Sequence, residues 1–165
     1  MIRVLHVLGG LNRGGAETMV INLYRAIDKT KVQFDFIIHT DKQQDYLDEV
    51  KALGARVFCF PRFTGKNLTT VLKNWDSFFC KHPEYKILHS HVRSYASLYI
   101  PIAKKYGIKT IVHSHSTSNG NNIFSKIKNI LQYPLRYQSD FLFACSQNSG
   151  EWLFGKKFAR SENFT

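Results

Sequence analysis

Two short histidine sequences stand in the middle of the chain, His89-Ser90-His91 and His113-Ser114-His115-Ser116. Alternate residues of a strand share a face, so His113 and His115 point together if a strand runs that far. An imidazole can ligate a metal, or it can hydrogen-bond a sugar hydroxyl or a developing charge. Three readings follow. Four imidazoles can hold zinc, but neither cluster carries an Asp, Glu or Cys to complete a familiar ligand set, and no metal is assigned. One member of each pair can be a packed, hydrogen-bonded histidine at a strand end. In the third reading, which is favoured for the second pair, at least one imidazole faces a ligand. The following TSNGN (117–121) adds small polar side chains and a glycine.

A second candidate lies near the N-terminus. The apolar run IRVLHVL leads into GGLNRGGAE, with glycines at 9, 10, 14 and 15. The pattern is not the dinucleotide fingerprint G-x-G-x-x-G. It is not a Walker A loop either, because Gly15 stands where that loop needs lysine. Glycine has no Cβ, so a ligand can approach its backbone closely. Gly14, Gly15 and Ala16 are expected to open a helix, where free N–H groups and the helix dipole favour an anion. Glu17, in the first turn, complements the same dipole. The loop is read as a ligand site, with phosphate as the expected group. The plainer alternative is a tight turn that only packs.

Lysine and arginine number 23 against 12 acidic residues, a formal charge of +11. Such an excess implies an anionic partner: nucleic acid, an acidic membrane surface or phosphorylated ligands. Nucleic acid is set aside, since no recognition motif for it occurs. The segment FSKIKNILQYPLRY (124–137) sets Phe124, Ile127, Leu131 and Leu135 beside Lys126, Lys128 and Arg136. Such a helix either lies on an anionic membrane surface or packs on a sheet with its basic face in water. Pro134 is expected to interrupt it. Cys59, Cys80 and Cys145 are odd in number and lack C-x-x-C spacing. They argue against a disulfide framework and for a reducing compartment. MIRVLHVLGG has no signal-peptide h-region, and no apolar run approaches bilayer-spanning length. The chain is read as cytoplasmic.

The elements that must carry these residues alternate regularly. Apolar runs at 2–8, 34–39, 55–60, 86–90, 109–114 and 141–145 read as strands buried on both faces. Helical patterns fill 15–28, 43–53, 67–81, 94–106, 123–138 and 147–155. Met19, Val20, Leu23 and Ile27 form the expected inner stripe of the first. Val71, Leu72, Trp75, Phe78 and Phe79 form that of the third. Gly54 and Gly107 follow two helices where a left-handed cap is preferred. Strand and helix alternating over the whole length predicts an α/β fold, a doubly wound, Rossmann-like parallel sheet in one domain (1–165). Ligands then sit beyond the carboxyl ends of the strands, at Gly9–Gly15, His39–Asp41, Ser90–Arg93, His113–Asn119 and Ser146–Asn148.

GGAE at 14–17, HSHS at 113–116 and ACSQNSGEWLFGKKF at 144–158, in this order and spacing, resemble a known family. It is the N-terminal half of retaining family 4 glycosyltransferases of the GT-B fold, especially bacterial enzymes of capsular and exopolysaccharide synthesis. The resemblance covers essentially the whole chain. It implies two Rossmann-like halves facing a cleft. The N-terminal half takes a saccharide or lipid-linked acceptor, and the C-terminal half takes a nucleotide-sugar donor as co-substrate, with no other cofactor. It implies that Gly14 and Gly15 meet donor phosphates or acceptor, and that His115, then His113, reach the donor sugar and reaction centre. Ser146 is expected to line the cleft, with Glu17, His91, Arg93 and Ser116 as further substrate or phosphate contacts. The family's acidic E-x7-E motif belongs to the C-terminal half, which the chain lacks. RSENFT falls about where the family enters its interdomain linker. The chain is therefore expected to be part of a larger enzyme, inactive alone, with the inner face of the membrane as a candidate peripheral location. Two rivals remain: a stand-alone nucleotide- or phosphosugar-binding module, and a zinc hydrolase built on the two H-S-H pairs.

Overall fold

The computed structural model describes residues 1–117 and 123–165, the side chains of 123 and 124 excepted. Most of TSNGN, and the packing expected of Phe124, lie outside the described residues. Six strands build one parallel sheet: β1 (Ile2–Val7), β2 (Val32–Ile38), β3 (Val57–Cys59), β4 (Tyr85–Ser90), β5 (Lys109–Ser114) and β6 (Phe141–Ala144). Their spatial order is β3-β2-β1-β4-β5-β6. Chain order therefore reverses between β1 and β4, and such a switch point leaves a crevice beyond the carboxyl ends.

Each connection carries a helix, α1 (Gly15–Ala26), α2 (Leu47–Ala52), α3 (Leu68–Lys81), α4 (Ala96–Lys105) and the pair α5 (Ile123–Gln132) and α6 (Leu135–Gln138), and α7 (Gln147–Phe154) follows β6. Gly54 and Gly107 end α2 and α4 with φ of 93° and 72°, where a side chain would be strained. Pro134 falls between α5 and α6 and splits the expected helix, because it has no N–H to give to the preceding turn.

Alternation along the strands sorts side chains into two cores. Leu5, Val7, Leu88, Val112 and Leu142 face α3, α4, α6 and α7. There Trp75 of α3 stacks on Tyr99 of α4, centroids 4.2 Å apart. Val4, Leu8, Phe34 and Phe36 face α1 and α2. The inner stripe of α1 differs from the expected one. Met19 and Leu23 are exposed, while Val20, Ile21 and Tyr24 are buried. Tyr24 turns inward because its ring stacks on Phe34 and its hydroxyl donates to the Leu53 carbonyl at 2.9 Å.

Burial on both faces also needs correction. It holds for β1 and β2. On β4–β6 one face is closed, but Ile87, His89, Ile111 and Phe143 on the other are only half-buried, and Phe141 is exposed. Low in the sheet, the buried Asp35 carboxylate accepts from the Arg3 guanidinium at 2.6 and 2.7 Å, and from that of Arg56 at 2.9 and 3.0 Å. It also accepts from the Arg56 backbone N–H at 2.7 Å and the Tyr85 hydroxyl at 2.7 Å. Burial pushes this carboxyl's pKa up. The bonds from Arg3, Arg56 and Tyr85 outweigh that and hold it below the ordinary carboxylate range.

Candidate functional site

The H-S-H pairs end β4 and β5, and alternation aims all four imidazoles at the same face. His6 of β1 joins them, because the parallel register sets it opposite His89. Five imidazoles thus cross three neighbouring strands. His6 Nδ1 lies 3.0 Å from His91 Nε2, and His91 Nδ1 lies 2.8 Å from His115 Nε2. Each contact shares one proton, so the tautomers of the three rings are linked. The His89 and His113 rings stack with centroids 5.4 Å apart, and those of His113 and His115 are 4.1 Å apart.

Packing several imidazoles together disfavours their charged forms. Burial, aided by the potential charge on His113, pushes His6 down to about 3. Burial and the neighbouring His115 push His113 down to about 4. His89 and His91 fall well below the ordinary value for the same reasons, and His115 is lowered by burial and then by the Arg93 charge. All five rings are neutral at pH 7. Each can then hydrogen-bond or ligate, but none supplies fixed positive charge.

Positive charge comes from the cleft beside them. At the switch point a cleft of about 340 Å³ is lined by Gly9, His91, Arg93, Lys128, Gln132 and Trp152, among others. A second, of about 400 Å³, shares Gly9, Val92 and Ser94 with it and adds His39, Lys42, Arg62 and Tyr95. Among the described residues no carboxylate lines either. Arg93 spans the cleft. Its Nη1 donates to the Ser116 carbonyl at 2.5 Å, and its guanidinium lies 4.5 Å from the centre of the Trp152 ring. A cation held over an indole with its N–H groups partly free suits an anionic ligand.

The glycines divide by role. None of Gly9, Gly10, Gly14 and Gly15 needs a positive φ. A Cβ on Gly10 would strike Gln44 Oε1, and one on Gly14 would strike the Glu17 carboxylate, while nothing stands near Gly9 or Gly15. Glu17 therefore folds over the start of α1. It is Gly9 that opens onto the cleft, whereas Gly14 and Gly15 line none of the clefts described. Ser146 caps α7: its hydroxyl accepts the Ser149 N–H at 3.2 Å, and the Ser149 hydroxyl accepts the Ser146 N–H at 3.2 Å. It stands at the carboxyl end of β6, as expected, with its side chain engaged locally. Ser116 is exposed beside Arg93. Cys145 reaches the same place, its thiol donating to the His115 carbonyl at 3.2 Å.

Among the expected residues the structure gathers His91, His113, His115, Arg93 and Ser116 into one rim. Gly14, Gly15 and Glu17 stand at the next loop, and Ser146 at the far strand. Sequence reasoning missed His6, Gly9 as the open glycine, Arg62 and Trp152. His6 had a signal, since in Val4-Leu5-His6-Val7-Leu8 it shares alternation with Val4 and Leu8. Its partners became visible only with the strand order.

The architecture defines a class first. The lipopolysaccharide outer-core galactosyltransferase WaaB superimposes on the whole chain with a TM-score of 0.66 at 14% identity. Anabaena HepE in complex with UDP does so at 0.65 and 12%, and Acinetobacter baumannii MurG at 0.64 and 9%. The chain covers 44%, 43% and 44% of these proteins. Such likeness shows the fold, the Rossmann-like N-terminal half of the GT-B enzymes. The sequence narrows it: residues 13–162 match Glycosyltransferase Family 4, and the chain belongs to that family. It is also 35% identical over 158 residues to EpsF of Bacillus subtilis strain 168, named as a glycosyltransferase, and it spans 41% of EpsF's length.

Proposed function

We propose that this chain is the acceptor-binding half of a retaining glycosyltransferase. The enzyme moves a sugar from a nucleotide-sugar donor to a saccharide or lipid-linked saccharide in polysaccharide biosynthesis. The supporting observation is a basic, carboxylate-free cleft at the switch point of a family 4 domain, edged by Gly9, His91 and Arg93. HepE, which shares the fold, was solved with UDP, and EpsF and WaaB carry transferase names.

In this reading His115 and, behind it, His113 face the donor sugar. Neutral at working pH, they act as hydrogen-bond partners rather than as cations. Arg93 holds an anionic group of donor or acceptor against Trp152, with the Ser116 backbone fixing its direction. His91 sets the tautomer of His115. Gly14 and Gly15 offer backbone at the start of α1 once Glu17 swings away, and Ser146 holds the β6 loop in shape. Catalysis consists of positioning and of stabilising the leaving diphosphate. Half a cleft supplies little of either, so the isolated chain is inactive.

The test is transfer from UDP-sugars to a lipid-linked saccharide. A full-length parent should turn over, and should lose at least a hundredfold in kcat with His115→Ala, while the 165-residue chain should do nothing. Robust transfer by the isolated chain, or an unimpaired His115→Ala parent, would refute the assignment. Calorimetry with UDP addresses the stand-alone binding module, which requires equal affinity in short and long forms. Peripheral membrane seating rests on α5–α6, where Ile127, Ile130, Tyr133 and Tyr137 are exposed near Lys126 and Lys128. Arg136 does not serve that face, since it stacks on Tyr133 and donates to the Leu153 carbonyl at 3.0 Å. No helix among the described residues is long and apolar enough to cross a membrane. Co-sedimentation with vesicles should rise with anionic lipid content.

A further inference from the structure

We propose that His91, His113 and His115 form a binding site for one divalent transition-metal cation, with zinc as the best-fitting ion. Each residue offers one ligand nitrogen, and these three atoms lie within 4.8 Å of one another. In a tetrahedral zinc site, with Zn–N bonds of about 2.0–2.1 Å, neighbouring nitrogens stand about 3.3 Å apart. The separation of 2.8 Å between His91 Nδ1 and His115 Nε2 lies below that value and the outer limit of 4.8 Å above it, so small ring movements admit the ion.

Three further observations support the site. His113 Nδ1 is buried without a hydrogen-bond partner, which marks the cluster as polar beyond what folding requires. His91 turns its other nitrogen to His6 Nδ1 at 3.0 Å. An N–H donated there fixes the ring and leaves Nδ1 as the ligand atom, with the His6 imidazole in the orienting role that a carboxylate or carbonyl more often fills. Finally, His91 and His115 are half-buried and His91 lines the open cleft, which supplies an entry path and a fourth coordination position.

A second trio, His6, His89 and His91, has similar spacing. It lies deeper, with His6 1% exposed, and only His91 of its three residues reaches the cleft lining. Three imidazoles with an open position, and no thiolate or carboxylate, suit zinc, copper, nickel or cobalt(II) rather than magnesium or calcium. The sequence reading set the metal aside because neither cluster carries an Asp, Glu or Cys, but three imidazoles alone make a known zinc ligand set. Neither pair suffices, but β4 and β5 together provide three ligands.

The test uses the 165-residue chain, purified without a polyhistidine tag and stripped with chelator, then titrated with zinc chloride by calorimetry and with cobalt(II) by visible absorption. One ion per chain should bind, with the intense bands of a tetrahedral or five-coordinate cobalt site. H113Q and H115Q should each weaken binding at least about tenfold, whereas H89L, and H82Q at the end of α3 outside the cluster, should leave it unchanged. H115Q carries the test if H113Q does not fold, because His115 is the more exposed. No saturable binding would overturn the proposal. So would binding that survives H115Q but is lost in H89L, which would move the ion to the deeper trio. The measurement needs no donor, acceptor or parent enzyme, so its failure leaves the transferase reading standing, whereas a bound ion would take over the His91–His115 contact and replace the direct hydrogen-bonding roles given to those rings above.

Discussion

Two polar clusters sit on opposite faces of the same sheet. At one, the Asp35 carboxylate is buried and every bond around it is made, by Arg3, Arg56 and Tyr85. At the other, five imidazoles crowd the carboxyl ends of β1, β4 and β5, and His6 Nε2, His89 Nε2 and His113 Nδ1 are buried with no partner. A paired buried charge ties three strands and the entry to β3 together. Unpaired buried nitrogens contribute nothing comparable to the fold. In a doubly wound sheet the carboxyl ends are where ligands bind, so unmet hydrogen-bonding capacity belongs there. One cluster satisfies every bond of its buried charge, and the other leaves buried nitrogens unmet at the end of the sheet where the proposed function needs them.

The sharpest way to break this contrast is Asp35→Asn. It leaves Arg3 and Arg56 around a neutral amide. Removing one partner of a buried ion pair costs about 3–5 kcal/mol. A domain of this size has about 5–15 kcal/mol in all, so the urea midpoint should fall steeply. A shift of less than about 1 kcal/mol would mean that Asp35 is not the keystone the geometry describes.

Acid should act on the other cluster first. The imidazoles have folded pKa values below the unfolded one of about 6.5, with His6 at about 3 and His113 at about 4. Below pH 6.5 the unfolded chain therefore binds protons that the folded chain refuses, and stability drops as pH falls. Each such group adds about 1.4 kcal/mol per pH unit until its folded value is reached. Asp35 is held below the ordinary carboxylate range, so its support persists through this window. Urea unfolding in chelator should show stability declining from pH 6.5 towards 5. A flat profile would show that the rings are already charged in the fold.

How much of this could be read from the sequence follows the same division. The strands emerged within a few residues of their observed ends, because apolar runs bounded by glycine and polar residues leave few alternatives. Gly54, Gly107 and Pro134 punctuated the chain as local stereochemistry requires. Local rules failed where a choice depended on neighbours. Met19–Leu23 and Ile21–Tyr24 are equally good helical pairings until β2 supplies Phe34 for the Tyr24 ring to meet. Within GGLNRGGAE, the sequence could not say that Gly10 and Gly14 make room for Gln44 and Glu17 while Gly9 faces the cleft. His6 was hidden in a buried strand, since its role depends on which strand lies beside β1.

A smaller effect distinguishes the cleft from the cluster behind it. Arg93→Gln removes the guanidinium over Trp152 but no buried carboxylate partner. Pyrophosphate affinity should fall about tenfold, as for a lost charge-assisted hydrogen bond of about 1.5–3 kcal/mol. The urea midpoint should barely move. Equal affinity for pyrophosphate in the variant would place the anion elsewhere on this basic surface.

The smallest expected change is the most discriminating. His89→Leu replaces a half-buried imidazole, whose Nε2 has no partner, with an apolar side chain of similar size. Removing an unsatisfied polar group in this way is close to neutral, in contrast to stranding a satisfied one. The ring's stacking on His113 is lost, but the new side chain regains contact with Phe143. In chelator at pH 7 the midpoint should move by less than about 1 kcal/mol, and the acid slope should become shallower because one reluctant base is gone. A loss above about 3 kcal/mol would match the Asp35 variant. It would mean that His89 has a partner as firm as those of Asp35, and the division between a structural cluster and a chemical one would fall.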